Sequence, residues 1–258
     1  MDNIQNIINE FQQIENVKAI SLAGSRAANS SDKTSDYDIY VYSDTEIDIQ
    51  KRENIAKKFS DRYEINNCFF GPGDEWLIKN TNIQIDLMYR TREWMENSIE
   101  NTWTKHYPCV GYSTCFVFNL KNSIILYDPE NWYKNLQTKV CTNYPDELAK
   151  NIINNNLPLL KNKISASFYE QVEKAINRKD YVSLNHRISA FLASYFDILF
   201  AANKVLHPGE KRLIQYAKQN CQKLPDNFEE DINNITRYPL ENTLKILSRL
   251  NENIIKII

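Results

Sequence analysis

Glycine is scarce in this chain, five in 258 residues, about 2% where soluble proteins usually carry about 7%. Each glycine that remains is therefore informative. Histidine is rarer still, three residues, and the five cysteines form no CxxC pair. That excludes a zinc or disulfide framework and points to reduced core thiols in a cytoplasmic protein. Positive charge is not in excess: 31 Lys and Arg against 33 Asp and Glu give a net charge of −2. No basic footprint for nucleic acid stands out. Long apolar runs are missing too. The longest, Ala190 to Ala202, is interrupted by Asp197 and falls short of the roughly 20 residues a membrane span needs. MDNIQNIINEFQQI at the start carries acid early and spaces its apolar residues like a helix, unlike a secretory leader.

The first 140 residues mix both periodicities. Ile4, Ile7, Ile8 and Phe11 fall on one helical face. Val17–Ala23, DYDIYVY over 36–42, NIQIDLMY over 82–89 and 123–127 read as strands, and 47–62 reads as a charged helix. Ala28–Ser35 reads as a helical turn and loop. From Pro145 alternation disappears, and helical segments over 145–177, 181–203, 210–222 and 240–257 follow. The expected fold is α+β: a mixed-sheet domain over 1–140, then a helical bundle over 141–258 that closes a cleft. No repeat and no low-complexity linker separates the halves, which predicts close packing.

LAGSRAANSSDKTSDYDIYVYSD, residues 22–44, holds the chemistry. Asp36 and Asp38 lie two apart on a strand, so both carboxylates leave one face while Tyr37 leaves the other. Asp86 sits on the 82–89 strand in the phase opposite Ile85 and Leu87. If those strands are neighbours, three carboxylates converge and repel unless protonated or bridged by a cation. Hard oxygens in an open array suit Mg²⁺, which shares its ligation with water and substrate phosphates. Gly24, ending a strand, lets backbone approach a ligand closely. The amides after it and the Ser25 hydroxyl can hold phosphate oxygens.

Gly-Ser, a gap of about ten residues, D-x-D and a later strand Asp resemble the polymerase-β-like nucleotidyltransferase superfamily. The smaller bacterial members, similar to aminoglycoside and lincosamide nucleotidyltransferases, are the nearer match. RKDYVSLNHRISAFLASYFDILFAANKVLHPGEKRL, residues 178–213, resembles the helical domain of uncharacterised type (DUF4037-like) that accompanies that catalytic domain. The resemblance implies that Gly24 and Ser25 bind the β,γ-phosphates, that Asp36 and Asp38 bind two Mg²⁺ ions, and that Asp86 completes the second metal site. It implies nucleotide contacts from Lys211 and Asn203. Arg26 is placed either on a phosphate or on an exposed first turn.

The reaction implied moves a nucleoside monophosphate, AMP from ATP, onto a hydroxyl of a small-molecule acceptor and releases pyrophosphate. Asp86, Asp128, Glu130 and Glu147 stand as alternative bases for the hydroxyl proton. Other readings stay open: a protein or tRNA acceptor, as in toxin–antitoxin relatives, or a silent nucleotide-binding regulator. The Gly71–Trp76 stretch reads as a hairpin loop with Trp76 on the core, or as an acceptor-lining loop with Asp74 or Glu75 facing a cation. His106 and His186 read as structural, and Asp32 and Asp44 as loop or strand-end residues.

Overall fold

The structure is a computed structural model and describes residues 2–27, 36–69, 71–162, 167–237, 240 and 242–258. The turn expected over 28–35, with Asp32, lies outside the described residues. Two compact units divide the chain: Met1–Glu100 with Asn119–Thr142, and Asn101–Phe118 with Asn143–Ile258. Each unit therefore consists of two stretches of chain.

The first unit runs α1 (Asp2–Gln12), β1 (Val17–Ala23), α2 (Gly24–Ala27), β2 (Tyr37–Ser43), α3 (Ile49–Phe59), β3 (Ser60–Asn67), β4 (Gly73–Ile78), β5 (Gln84–Thr91) and α4 (Arg92–Ile99). A π-helical turn (Glu100–Thr104) leads out of it, α5 (Cys115–Asn122) leads back, and β6 (Ile124–Tyr127) and α6 (Trp132–Val140) complete it. The six strands are ordered β3-β4-β5-β2-β1-β6. Only the β2–β5 pair is parallel; the others are antiparallel.

Strand alternation divides this sheet into two unlike faces. One carries Ile20, Ile39, Val41, Ile85, Leu87 and Trp76, packed with Ile7, Ile8 and Phe11 of α1 and Ile55 and Ala56 of α3. Each such side chain, once buried, contributes about 1.5–3 kcal/mol. The same face holds a buried polar staple. Arg52 of α3 lies 3.5 Å from Asp74 of β4 and over the Tyr89 ring, and Tyr89 Oη donates to Asp74 Oδ2 at 2.6 Å. Asn66 N also donates to Asp74, at 2.8 Å. The other face is covered toward one end by α6, where Tyr133 packs on Tyr42 and accepts from Ser21 Oγ at 3.3 Å, and carries the site toward the other end.

The helix expected over 47–62 ends at Phe59. Ser60 turns the chain into β3, its hydroxyl donating to Leu77 O at 2.7 Å, and β3 pairs with β4 as a hairpin. The expected loop over 71–76 is thus partly strand, with Trp76 buried at 1% exposure as foreseen. All five cysteines are free as expected. Cys68, Cys109 and Cys141 are exposed rather than in the core, while Cys221 packs against the helical core.

The second unit is helical: α7 (Asp146–Leu160), α8 (Phe168–Arg178), α9 (Tyr181–Ala202), α10 (Leu213–Asn220), α11 (Phe228–Arg237) and α12 (Thr243–Ile255). Apolar residues surround α9 for its last three turns, and Phe191, Tyr195, Ile198, Leu199 and Phe200 make it the centre of the core. One charge interrupts that surface. Asp197 is 2% exposed and accepts from Ser113 N at 3.0 Å and Ser113 Oγ at 2.6 Å, so it ties the 101–118 stretch to α9. No described helix is long and apolar enough to cross a membrane.

Candidate active site

Asp38 and Asp86 are direct partners across the parallel β2–β5 pair. Cross-strand partners share a face, and neighbouring strands lie about 4.8 Å apart, so the two carboxylates project side by side from the face away from α1 and α3. Both are half-buried, and Gln84 Nε2 donates to Asp86 Oδ1 at 2.9 Å. Asp36, exposed, immediately precedes β2.

The row continues across the sheet. Glu75 of β4 is the partner of Asp86, and Glu64 of β3 is the partner of Glu75. Partial burial, then the charges of Asp86, Glu64 and Asp36, push the Glu75 carboxyl above its ordinary value, against a lowering bond from Asn67. Asp74, one residue away, points to the opposite face and into the Arg52–Tyr89 staple. Of the two acids offered by the 71–76 stretch, only Glu75 shares the face of Asp86. In the structure Asp74, Trp76 and Ile78 are buried on either side of it, but in the sequence the charge of Asp74 hides that alternation.

Gly24 closes the row at the end of β1. Its φ is +64°, in the left-handed region, and a β-carbon there would overlap Asp38 Oδ2 and stand 2.6 Å from Cγ. Only glycine lets Asp38 hold this position. Ser25 follows within α2. Arg26 Nε donates to Asp36 O at 3.0 Å, and its guanidinium lies 4.0 Å from the Tyr37 ring centroid.

Two other expected residues of the first unit, Asp128 and Glu130, lie away from the row. Lys18, Asp44, Arg92 and Glu130 form an exposed ion-pair network, at the end of β2 and β5 opposite to Asp38 and Asp86. Six residues of strand separate Asp38 from Asp44, about 20 Å, so Glu130 stands far from the carboxylate pair. Asp128 follows Tyr127, which pairs with Ile20, and accepts from Lys134 N at 2.8 Å, toward that same end. Glu147, Asn203 and Lys211 belong to the second unit. Glu147 lies in the first turn of α7. Asn203 caps α9, donating 2.9 Å bonds to Leu199 O and Lys223 O and accepting from Lys223 N at 2.8 Å. Lys211 is exposed in the bend before α10.

Among the described residues, no three or more His, Cys, Asp or Glu side chains form a ready cage for a metal. Mg²⁺ does not require one, since it is commonly held by one or two carboxylates together with water and substrate phosphates. The donor chemistry of Asp38 and Asp86, hard oxygens pressed together by strand register, fits that mode.

Residues 5–92 match the family model described as polymerase beta, nucleotidyltransferase, a span that contains Gly24, Asp36, Asp38 and Asp86. The chain carries a polymerase beta nucleotidyltransferase domain. Residues 113–213 match a domain of unknown function, DUF4037, which holds Asn203 and Lys211. The resemblance read from the sequence is borne out in both parts, and the enzyme class is nucleotidyltransferase. No curated protein sequence matches the chain. Among solved structures, a nucleotidyltransferase-like protein from Exiguobacterium sibiricum is similar at 10% identity and TM-score 0.47, over 99% of this chain and 73% of that one. A spectinomycin adenyltransferase from Enterococcus faecialis, solved with ATP and spectinomycin, is similar at 12% identity and TM-score 0.33, over 98% and 97%. At these scores neither likeness bears on the nucleotidyltransferase's acceptor.

Proposed function

We propose that this nucleotidyltransferase moves a nucleoside monophosphate, AMP from ATP, onto a hydroxyl of a small-molecule acceptor, with pyrophosphate as the leaving group. Asp36, Asp38 and Asp86 would hold two Mg²⁺ ions, which when bound would neutralise charge on the triphosphate and on the departing pyrophosphate. The observation that carries the reading is the register of Asp38 against Asp86, with Gly24 packed on the Asp38 carboxylate.

The chain's own residues have distinct tasks. Gly24 leaves Asp38 room beside the end of β1, where the Gly24–Ser25 backbone would carry the β,γ-phosphates. Asp86 is the carboxylate to take the hydroxyl proton within hydrogen-bond reach of the acceptor. Its rivals Asp128 and Glu130 stand toward the other end of the strands. Five free cysteines support a reducing, cytoplasmic setting. The balanced charge of −2 speaks against an RNA acceptor, which needs basic contacts to phosphates.

The test is to incubate the protein with α-labelled ATP, GTP, CTP or UTP, Mg²⁺, and separate acceptors: aminoglycosides, lincosamides, tRNA and a cell extract. The expected result is Mg²⁺-dependent label in a small-molecule fraction, abolished by Asp38→Asn. Label confined to tRNA or protein would overturn the small-molecule acceptor, and absence of transfer to any of them would overturn the reading.

A further inference from the structure

We infer that Arg26 is a positioning residue for the aspartate pair rather than a phosphate ligand. Two of its contacts bear on β2. Nε donates to the backbone carbonyl of Asp36 at 3.0 Å, joining residues ten apart in the chain. The guanidinium plane lies on the Tyr37 ring, 4.0 Å from its centroid. Tyr37 alternates with Asp38 on β2, so its ring lies on the face away from the carboxylates, where it packs against the apolar core.

Arg26 thus holds β2 at its entry, by the carbonyl of one residue and the ring of the next. A strand has a side-chain period of two, so fixing Tyr37 on one face fixes Asp38 on the other, with Asp36 one residue before the strand. The same contact anchors the first residue of β2, next to the position where Asp38 stands opposite Asp86. Arginine suits the task because its planar group can stack and donate at once. Lysine, a single point charge on a flexible stem, cannot do both.

The inference rests on the reading that Asp36 and Asp38 bind the cation, and two sets of variants separate them. Asp38→Asn tests the reading, while Arg26→Gln, Arg26→Lys and Tyr37→Leu test the inference. For each, the half-saturating Mg²⁺ concentration, KM for ATP at saturating Mg²⁺, and melting temperature are measured, with Mn²⁺ binding in the presence of a non-hydrolysable ATP analogue followed by calorimetry as a readout independent of turnover. Arg26→Gln is expected to weaken cation binding and activity roughly 10–100-fold, as loss of an orienting partner does, with KM for ATP little changed. Tyr37→Leu should move the same quantities in the same direction although its side chain faces away from the site. Arg26→Lys should resemble Arg26→Gln, and the Arg26→Gln/Tyr37→Leu double variant should lose less than the product of the singles.

A raised KM for ATP with unchanged cation binding, and a silent Tyr37→Leu, would make Arg26 a phosphate ligand and overturn the inference. A lowered melting temperature with normal cation binding by the folded protein would overturn it in favour of a purely structural role. Should Asp38→Asn bind Mn²⁺ as the native protein does, the underlying reading fails and the inference with it.

Discussion

The carboxylate of Asp38 occupies the space that a β-carbon on residue 24 would need, with Gly24 itself at φ +64°. Two requirements meet at one position, a left-handed backbone and an absent side chain. Gly24→Ala is expected to cost about 1–2 kcal/mol for the backbone alone. By displacing Asp38 it should also lower kcat/KM on the order of 10²-fold. Urea denaturation and initial rates check the two effects separately, and a variant that keeps full activity would show that the packing of Gly24 on Asp38 does not matter to the reaction.

Asp74 and Arg52 form a buried charged staple on the face opposite the site. Burial raises the Asp74 carboxyl, against lowering by the Tyr89 hydroxyl, the Asn66 amide and the Arg52 charge. Asp74→Asn leaves Arg52 buried without its counter-charge and is expected to cost about 3–5 kcal/mol in urea unfolding. A loss under 1 kcal/mol would mean that water reaches Arg52 and replaces the pair.

Glu130 and Asp128 lie toward the end of the strands away from Asp38 and Asp86. Glu130→Gln and Asp128→Asn should therefore leave kcat within about twofold. Glu130→Gln should cost no more than about 1 kcal/mol for its exposed ion pairs. A drop of about a hundredfold, the usual minimum for loss of a general base, would return either residue to the reaction.

Asp197 and His207 in the helical unit oppose one another as pH falls. Burial raises the Asp197 carboxyl from 3.8 to about 6, against lowering bonds from Ser113. The folded state therefore keeps a proton that the unfolded chain has released, and stability from this group grows as pH falls from about 6 to 3.8. Burial lowers His207 from 6.5 to about 4. The unfolded chain then binds a proton that the folded state refuses, and stability is lost between 6.5 and 4. Each effect is worth up to about 3 kcal/mol at 1.36 kcal/mol per pH unit. Asp197→Asn should remove only the first, so its unfolding free energy relative to the native protein falls by about 2 kcal/mol on going from pH 7 to pH 4.5. An unchanged difference would mean that Asp197 is solvated.

Much of the acidic face was legible because its signals are local. The alternation in DYDIYVY and NIQIDLMY placed Asp38 and Asp86 on one face, with Asp36 falling one residue before β2 rather than on it, and glycine scarcity singled out Gly24. The β3–β4 hairpin was not legible. Ser60–Asn67 is an edge strand with several exposed side chains, and β4 buries a charge, Asp74, where alternation calls for an apolar residue. Glu75 was lost with that hairpin as a partner of Asp86, since cross-strand register follows from pairing and not from spacing along the chain. Arg52 reads in sequence as a solvated helix residue, and its burial at 3% exposure depends on Asp74, 22 positions away. Asn203 and Asp197 show the same limit: their partners, Lys223 and Ser113, lie far along the chain.

The most direct measurement is the melting temperature of the native protein and of Asp38→Asn with ATP alone, Mg²⁺ alone, and both together. A ligand at a hundred times its Kd stabilises the folded state by about 2.7 kcal/mol. The native protein is therefore predicted to gain several degrees only when ATP and Mg²⁺ are both present, and Asp38→Asn to gain nothing. An equal gain by the variant, or no gain by the native protein, would contradict a nucleotide held through the paired aspartates.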